Sequence, residues 1–242
     1  MSLSNKAVMI TGASQGLGKA LAEVLAERGA RLALVARSAA ALEEVAARAR
    51  QAGAEAYALS FDVGDKDAVY PLAGAAHALL GEIDVLIHNA GALGPTPLRS
   101  LLDTECEDLS RVLDVNLMGP FRLTKAIAGG MALRGSGTLV FVSSDAAVEP
   151  YPAWGAYGVS KAALDHLARI WGAELAGSGL AVFSVDPGEM DTPMHRAALP
   201  DADPSTLANP ATVAARIVQM LERAPQIANG ARLIASSWTV SP

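Results

Sequence analysis

Short runs of aliphatic and β-branched residues alternate with longer Ala- and Leu-rich segments along the whole chain, and this alternation constrains the fold more than any other feature. Runs that are apolar at nearly every position must be buried on both faces, and the helical segments between them act as crossovers joining parallel strands. Strands are predicted at Ala7–Thr11, Arg31–Ala36, Glu55–Ser60, Val85–His88, Thr138–Ser143, Ala181–Asp186 and Arg232–Ala235. Helices are predicted at Gly16–Arg28, Ala39–Gln51, Lys66–Leu80, Leu109–Ala132, Tyr157–Ala176 and Pro210–Arg223, with Gly, Pro or Asp as punctuation. The expected class is α/β: a doubly wound, seven-stranded parallel sheet with helices on both faces. With 242 residues, 51% of them hydrophobic, such a core can form without a second unit, so residues 1–242 are expected to be a single domain.

A formal net charge of −6 describes a mildly acidic protein, and no run of Lys and Arg supplies the electrostatic footprint that nucleic acid or an anionic membrane would need. Neither partner is expected. Charges cut every apolar stretch before it reaches the roughly 20 residues needed to cross a bilayer, as Arg37 cuts the run after Leu32. The opening Met1-Ser2-Leu3-Ser4-Asn5-Lys6 lacks the long apolar segment of a secretory signal, and the lone Cys106 cannot form an internal disulfide. A cytoplasmic location follows as the expectation. Four scattered histidines and one cysteine show no metal-ligand spacing, so no metal is expected.

Sheets of this kind bind ligands at the carboxyl ends of their strands, near the point where strand order reverses. After the first strand comes Thr11-Gly12-Ala13-Ser14-Gln15-Gly16-Leu17-Gly18, which runs into an Ala- and Leu-rich helix. Glycines there let the backbone turn tightly and approach a pyrophosphate, while the N–H groups and partial positive charge of the helix start stabilise the anion. The Gly-x3-Gly-x-Gly spacing differs from the usual Rossmann Gly-x-Gly-x2-Gly, and an ordinary strand-to-helix turn remains the alternative. The second strand ends in Leu34-Val35-Ala36-Arg37-Ser38. An acid at that point would bind a ribose 2′-hydroxyl, whereas an arginine accommodates a 2′-phosphate, so Arg37 favours NADP(H), with NAD(H) possible; a merely solvated arginine at a strand end is the alternative reading. Gln15 adds no second cation. After the third strand, Asp62, followed by Val63, could accept from an adenine amino group or cap its own loop. After the fourth, Asn89-Ala90-Gly91 would let the chain pass close to the adenine ribose, or Asn89 could close a turn.

Tyr157 and Lys161 are spaced i, i+4 at the start of the helix after the fifth strand, which puts phenol and ammonium on one face. A tyrosine near pKa 10 is a poor acid/base at neutral pH, and a cation close by is expected to pull it down toward the working range. Ser144, at the end of the fifth strand, could stabilise charge growing on a substrate oxygen or cap a turn. Asn116 sits in an otherwise helical, apolar stretch, where a buried amide must find partners, and it reads either as functional or as a satisfied core amide.

The blocks Thr-Gly-x3-Gly-x-Gly, Asn-Ala-Gly, an internal Asn, Ser-Ser, Tyr-x3-Lys and Pro-Gly fall in an order and spacing that resembles the short-chain dehydrogenase/reductases over nearly the whole chain. The resemblance implies a Rossmann-type fold and a catalytic tetrad at Asn116, Ser144, Tyr157 and Lys161. Tyr157 would exchange a proton with the substrate oxygen and Ser144 would orient that oxygen. Lys161 would hold the nicotinamide ribose and lower the Tyr157 pKa, and Asn116 would support a water-linked proton path behind it. Family likeness also assigns Pro187-Gly188 and the Thr192 hydroxyl to the nicotinamide carboxamide, although Asp191-Thr192-Pro193 could equally start a short helix.

Substrate contacts are expected from Leu93-Gly94-Pro95, from Val148 to Trp154, and from Met190 to His195, with Tyr151, Trp154, Met190 and Met194 suggesting a partly apolar pocket. His195 and Arg196 could meet an acidic group on the substrate or project into water; His77 and His166 read as structural. The family commonly forms homodimers or homotetramers, and apolar positions between Ala163 and Trp171 could supply that contact, although the run Arg232–Pro242 departs from the usual tail. The expected function is an NADP(H)-dependent reductase acting on a small carbonyl/alcohol substrate. A non-catalytic NADP(H) sensor is the alternative, against which the complete Tyr157, Lys161 and Ser144 set argues. Epimerisation or dehydration usually comes with a longer region after Pro187 than this chain carries.

Overall fold

The computed structural model describes residues 1–239; the last three residues of the predicted atypical tail, Val240, Ser241 and Pro242, lie outside the described residues. In chain order the elements are β1 (Ala7–Thr11), α1 (Gly16–Glu27), β2 (Arg31–Ala36), α2 (Ala39–Gln51), β3 (Ala56–Ser60), α3 (Val69–Leu80), β4 (Val85–His88), α4 (Cys106–Leu113), α5 (Gly119–Arg134), β5 (Gly137–Val142), α6 (Gly155–Glu174), β6 (Leu180–Asp186), α7 (Pro193–Ala198), α8 (Pro210–Glu222) and β7 (Ala231–Ile234). All seven strands form one parallel sheet in the order β3-β2-β1-β4-β5-β6-β7. Strand order reverses between β1 and β4, where Ile10 pairs with Ile87.

Alternation along each strand divides the core into two layers. Val8 and Ile10 pack with Leu21 and Leu25 of α1, Leu42 of α2 and Ile217 of α8. Ala7 and Met9 face the other way, with Leu72 of α3, Leu123 of α5 and Leu164 of α6. Both strand faces are covered, which is why the strand sequences are apolar throughout.

The structure corrects several predicted boundaries. Helix α3 starts at Val69 rather than Lys66, because the preceding residues fold as Asx turns: Asp62 Oδ1 accepts from the Gly64 N–H and Asp65 Oδ1 from the Asp67 N–H, each at 2.9 Å. The predicted helix Leu109–Ala132 is longer at both ends and interrupted by a π-helical turn, Asp114–Met118, between α4 and α5. Pro120 has no N–H to donate to the carbonyl four residues back, that of Asn116, and the ladder widens before it, with the Gly119 N–H donating to the Asp114 carbonyl. Helix α6 begins two residues before Tyr157, at Gly155. The short helix α7 answers to the alternative reading of Thr192-Pro193; strands β3 and β6 differ from the expectation by one residue at their starts, and β5 and β7 are shifted by one residue toward the N-terminus at both ends. Among the described residues no helix is long and apolar enough to cross a membrane.

Candidate active site

The crevice at the β1/β4 switch opens into a cavity of about 760 Å³ at the carboxyl ends of the strands. Gly12, Ser14, Gln15, Gly16 and Leu17 form one wall, and the backbone turns there with φ of +69° at Gly12 and +53° at Gly16. A Cβ on Gly12 would lie 2.8 Å from the Ala90 Cα, so this glycine is required by close approach as well as by conformation. Gly18 does not line the cavity. A Cβ there would sit 2.2 Å from the Gly12 carbonyl oxygen, so its bareness lets α1 pack against the turn.

Asn89 closes its turn, as the alternative reading held: Nδ2 donates to the Thr11 and Gly12 carbonyls at 3.0 and 3.1 Å. The Thr11 hydroxyl in turn accepts from the backbone N–H groups of Asn89 and Ala90. Asn89, Ala90 and Gly91 also line the cavity, as do Asp62, which caps its own loop, and Val63. Arg37 stands exposed at the mouth beside Ser38 and makes no ion pair among the described residues.

Tyr157 and Lys161 come off α6 into the same cavity, both buried. Lys161 Nζ donates to the Val142 carbonyl at 2.7 Å and lies 5.5 Å from the Tyr157 ring centroid. Burial pushes the phenol up to about 12, with the Ser144 hydroxyl pulling down and the Asp145 and Asp186 charges pushing further up. Burial likewise pushes the Lys161 ammonium down to about 8, against the pull of Asp165. The expectation that lysine would lower the tyrosine is therefore corrected for the protein alone: desolvation of the phenolate is the dominant effect.

Ser144 Oγ donates to Asp145 Oδ1 at 2.9 Å and accepts from the Ala146 N–H, so it does cap a turn while facing the pocket beside Tyr157. Asn116 is fully buried on the π-helical turn. Its Nδ2 donates to the Ala92 carbonyl and to Ser160 Oγ, and its Oδ1 accepts from the Ala92 N–H. Both amide hydrogens are taken by protein groups, so the side chain ties the loop after β4 to α6. Ser160, inside the Tyr-x3-Lys segment, completes that tie by donating to the Tyr157 carbonyl at 2.6 Å.

Two further residues escaped the sequence reading. Ser143 lines both the large cavity and its neighbour, and its Oγ is buried with no hydrogen-bond partner among the described residues. Arg232 of β7 donates to Asp165 Oδ2 of α6, Asp186 Oδ2 of β6 and the Ser144 carbonyl, all at 2.9 Å. An arginine inside a predicted buried strand was the available signal, since a buried cation requires partners.

A second cavity of about 220 Å³ adjoins the first, and Tyr157, Thr192 and Met194 belong to both linings. Leu93, Tyr151, Trp154 and Met190 line it too, so the predicted apolar set is brought together. Gly188 lines this pocket rather than the larger cavity, which Pro187 does reach. Thr192 Oγ1 accepts from the His195 N–H and caps α7. Arg196 pairs with Asp191 and lines neither cavity, so it projects into water rather than toward substrate.

This lining fits a nicotinamide dinucleotide. Among the described residues, a glycine cradle that a Cβ would fill precedes α1, whose N-terminus has no side-chain cap, and the unpartnered Ser143 hydroxyl and the Lys161 ammonium belong to the same lining.

Residues 6–203 match the family model described as short chain dehydrogenase. A short chain dehydrogenase of Pseudocercospora fijiensis is 35% identical over 195 residues, 78% of this chain and 61% of that one, so the match spans about three fifths of this relative's length. The 2,3-dihydro-2,3-dihydroxybenzoate dehydrogenase of Bacillus subtilis is 35% identical over 193 residues, 80% of this chain and 73% of that one. Among solved structures, an NAD+-bound xylitol dehydrogenase superposes with TM-score 0.85 at 26% identity, covering 97% of this chain and 98% of that one. A Beutenbergia cavernae structure holding NADP at low occupancy does so with TM-score 0.88 at 26% identity, covering 97% and 96%.

Proposed function

The chain belongs to the short chain dehydrogenase family, and from that premise we propose that it is an NADP(H)-dependent oxidoreductase interconverting a small ketone or aldehyde and its alcohol. The observation that carries the proposal is the shared wall: Tyr157 lines the dinucleotide-sized cavity and the smaller pocket at once, where an acid/base between cofactor and substrate belongs. Arg37, exposed and without an ion pair among the described residues, supports the 2′-phosphate of NADP(H), although relatives of both cofactor types share the fold.

Bound nicotinamide supplies or accepts the hydride. Tyr157, with its pKa near 12, holds its proton throughout the neutral range and so stands ready as the acid for reduction. The Ser144 hydroxyl would orient the substrate oxygen, and the buried Lys161 ammonium would hold the ribose hydroxyls of a bound nicotinamide nucleotide. Asn116 and Ser160 hold the backbone of α6 at Tyr157, keeping acid and base in register. A single domain over residues 1–242 and a cytoplasmic location belong to the same reading. Exposed Val159 and Ile170 on α6 support assembly as a homodimer or homotetramer.

The test is oxidation of NADPH and NADH at equal concentration with ketones and aldehydes. NADPH should be preferred, Arg37→Asp should reverse the preference, and Tyr157→Phe should lower kcat/KM by about 10²–10⁴-fold. Equal loss of both cofactors in Arg37→Asp would remove the 2′-phosphate role. Tight NADPH binding with no turnover would favour the sensor alternative.

A further inference from the structure

Three aromatic residues, Tyr151, Trp154 and Tyr157, line the pocket of about 220 Å³. The Trp154 ring centroid lies 6.5 Å from that of Tyr151 and 5.8 Å from that of Tyr157, with the planes inclined by 59° and 65°. No ring in this set is therefore covered by a parallel neighbour, and an aromatic face attracts a cation through its quadrupole. Asp145 adds a carboxylate to the same lining. Its Oδ1 accepts from the Ser144 hydroxyl and the Ala146 N–H, and its Oδ2 accepts from the Tyr151 hydroxyl in an exposed hydrogen bond, each at 2.9 Å. All three donors are neutral, so they fix the carboxylate in place and leave its charge uncompensated.

Nearby cations do not cancel that charge. Among the described residues no Lys or Arg lines this pocket, and Lys161 belongs to the larger cavity. Arg232 reaches the Ser144 carbonyl but sits between Asp165 and Asp186, a group with one positive and two negative charges. Glu189 brings a second carboxylate to the pocket; its side chain is 63% exposed, and His195 Nε2, 3.7 Å away, is beyond hydrogen-bond reach. The phenols record the resulting field. Tyr151 is raised above the ordinary tyrosine range by its hydrogen bond to Asp145 and then by that charge, with further pushes from burial, Glu149 and Glu189. On Tyr157 the Asp145 charge adds to the larger effect of burial.

An anion entering this pocket meets two carboxylates and no compensating charge, whereas an ammonium group meets both carboxylates and an aromatic wall. Asp145 Oδ1 is one hydrogen bond from the Ser144 hydroxyl beside Tyr157, so a cation one or two carbons from the reacting carbonyl comes within its reach. Resting on the oxidoreductase reading above, we infer that Asp145, assisted by Glu189, sets specificity for charge: the substrate is an alkylammonium ketone, or the matching alcohol, whose cationic group lies against Asp145 and the Tyr151 and Trp154 rings.

Three alcohols with the same number of heavy atoms separate charge from shape: (2-hydroxypropyl)trimethylammonium, its carbon isostere 4,4-dimethyl-2-pentanol, and 4-hydroxypentanoate. Binding of each to the full chain saturated with NADPH is measured by calorimetry; alcohol and cofactor are both reduced, so no turnover occurs, and the reduced nicotinamide adds no charge. The ammonium alcohol should bind about tenfold tighter than the isostere, the worth of one cation contact at a partly exposed site, and 4-hydroxypentanoate more weakly than either. Asp145→Asn, which keeps an acceptor and removes the charge, should bring the ammonium alcohol close to the isostere and leave the isostere unchanged. Glu189→Gln, at an exposed position, should narrow the gap by a smaller factor and provides the same readout if Asp145→Asn does not fold. Equal binding of the ammonium alcohol and its isostere, tighter binding of 4-hydroxypentanoate, an ammonium advantage that neither substitution reduces, or no binding of any of the three would overturn the inference. NADPH oxidation with acetonyltrimethylammonium is followed separately: the expected binding order without oxidation would keep the pocket assignment and sink the oxidoreductase reading instead.

Discussion

Lys161 and Tyr157 are displaced from their ordinary pKa values in opposite directions by the same cause, burial, and stability should record it. Between about pH 8 and 10.5 the unfolded chain keeps a proton on Lys161 that the folded one has released, so this group makes stability rise with pH through that window. Tyr157 acts oppositely from pH 10 to about 12, where the folded state holds the extra proton and stability falls. Urea unfolding of the cofactor-free protein at pH 7 should therefore show Lys161→Met ahead of native by at most about 3 kcal/mol, less the lost bond to Val142. That lead should shrink steadily toward pH 10; a pH-independent difference would contradict the displaced lysine. The residue types at the site were legible because i, i+4 spacing on a helix puts Tyr157 and Lys161 on one face whatever the tertiary structure. The direction of the tyrosine pKa, the partners of Asn116 and the orphaned Ser143 hydroxyl were not, because each depends on burial among elements distant in sequence.

At the scale of elements, strand positions were readable because doubly buried parallel strands leave an unbroken apolar signature, as in Leu32–Ala36. The π-helical turn was not readable, since one inserted residue barely disturbs a hydrophobic pattern; Pro120 was the only clue, and it sits four residues from the Asn116 carbonyl it cannot serve. Nor did pattern reveal that β7 is locked to β6 and α6 through Arg232, whose two carboxylate partners are each 7% exposed. Removing this cation leaves Asp165 and Asp186 buried without it, so Arg232→Met should lose about 3–5 kcal/mol in urea unfolding. Arg122→Met, which removes a longer pair with half-exposed Asp114, should lose less than about 1 kcal/mol. Equal losses would mean that the Arg232 network adds no more than a surface pair. Because Arg232 also holds the Ser144 carbonyl, its variant should lower kcat/KM even where folding is complete.

Across the whole molecule, the sheet order places the glycine turn, Arg37, Asp62 and the Asn89-Ala90-Gly91 segment along one crevice, and α6 brings Tyr157 to the point where that crevice meets the smaller pocket. This arrangement was legible because strand ends follow from strand assignments and the reversal of strand order follows from crossover geometry. The smaller pocket was legible only in part. Its apolar members could be named, but the burial of His195 and the outward pairing of Arg196 with Asp191 depend on where α7 lies, which a six-residue helix does not announce in sequence. The central claim is that hydride passes across this junction with Tyr157 supplying the proton. It is tested most directly by supplying NADPH deuterated at the transferable nicotinamide position with acetonyltrimethylammonium and examining the alcohol by mass spectrometry. Deuterium on the carbinol carbon with native protein, and its near-complete loss with Tyr157→Phe at unchanged NADPH affinity, is the predicted result. NADPH that binds but transfers no deuterium to this or any other carbonyl compound would contradict the account.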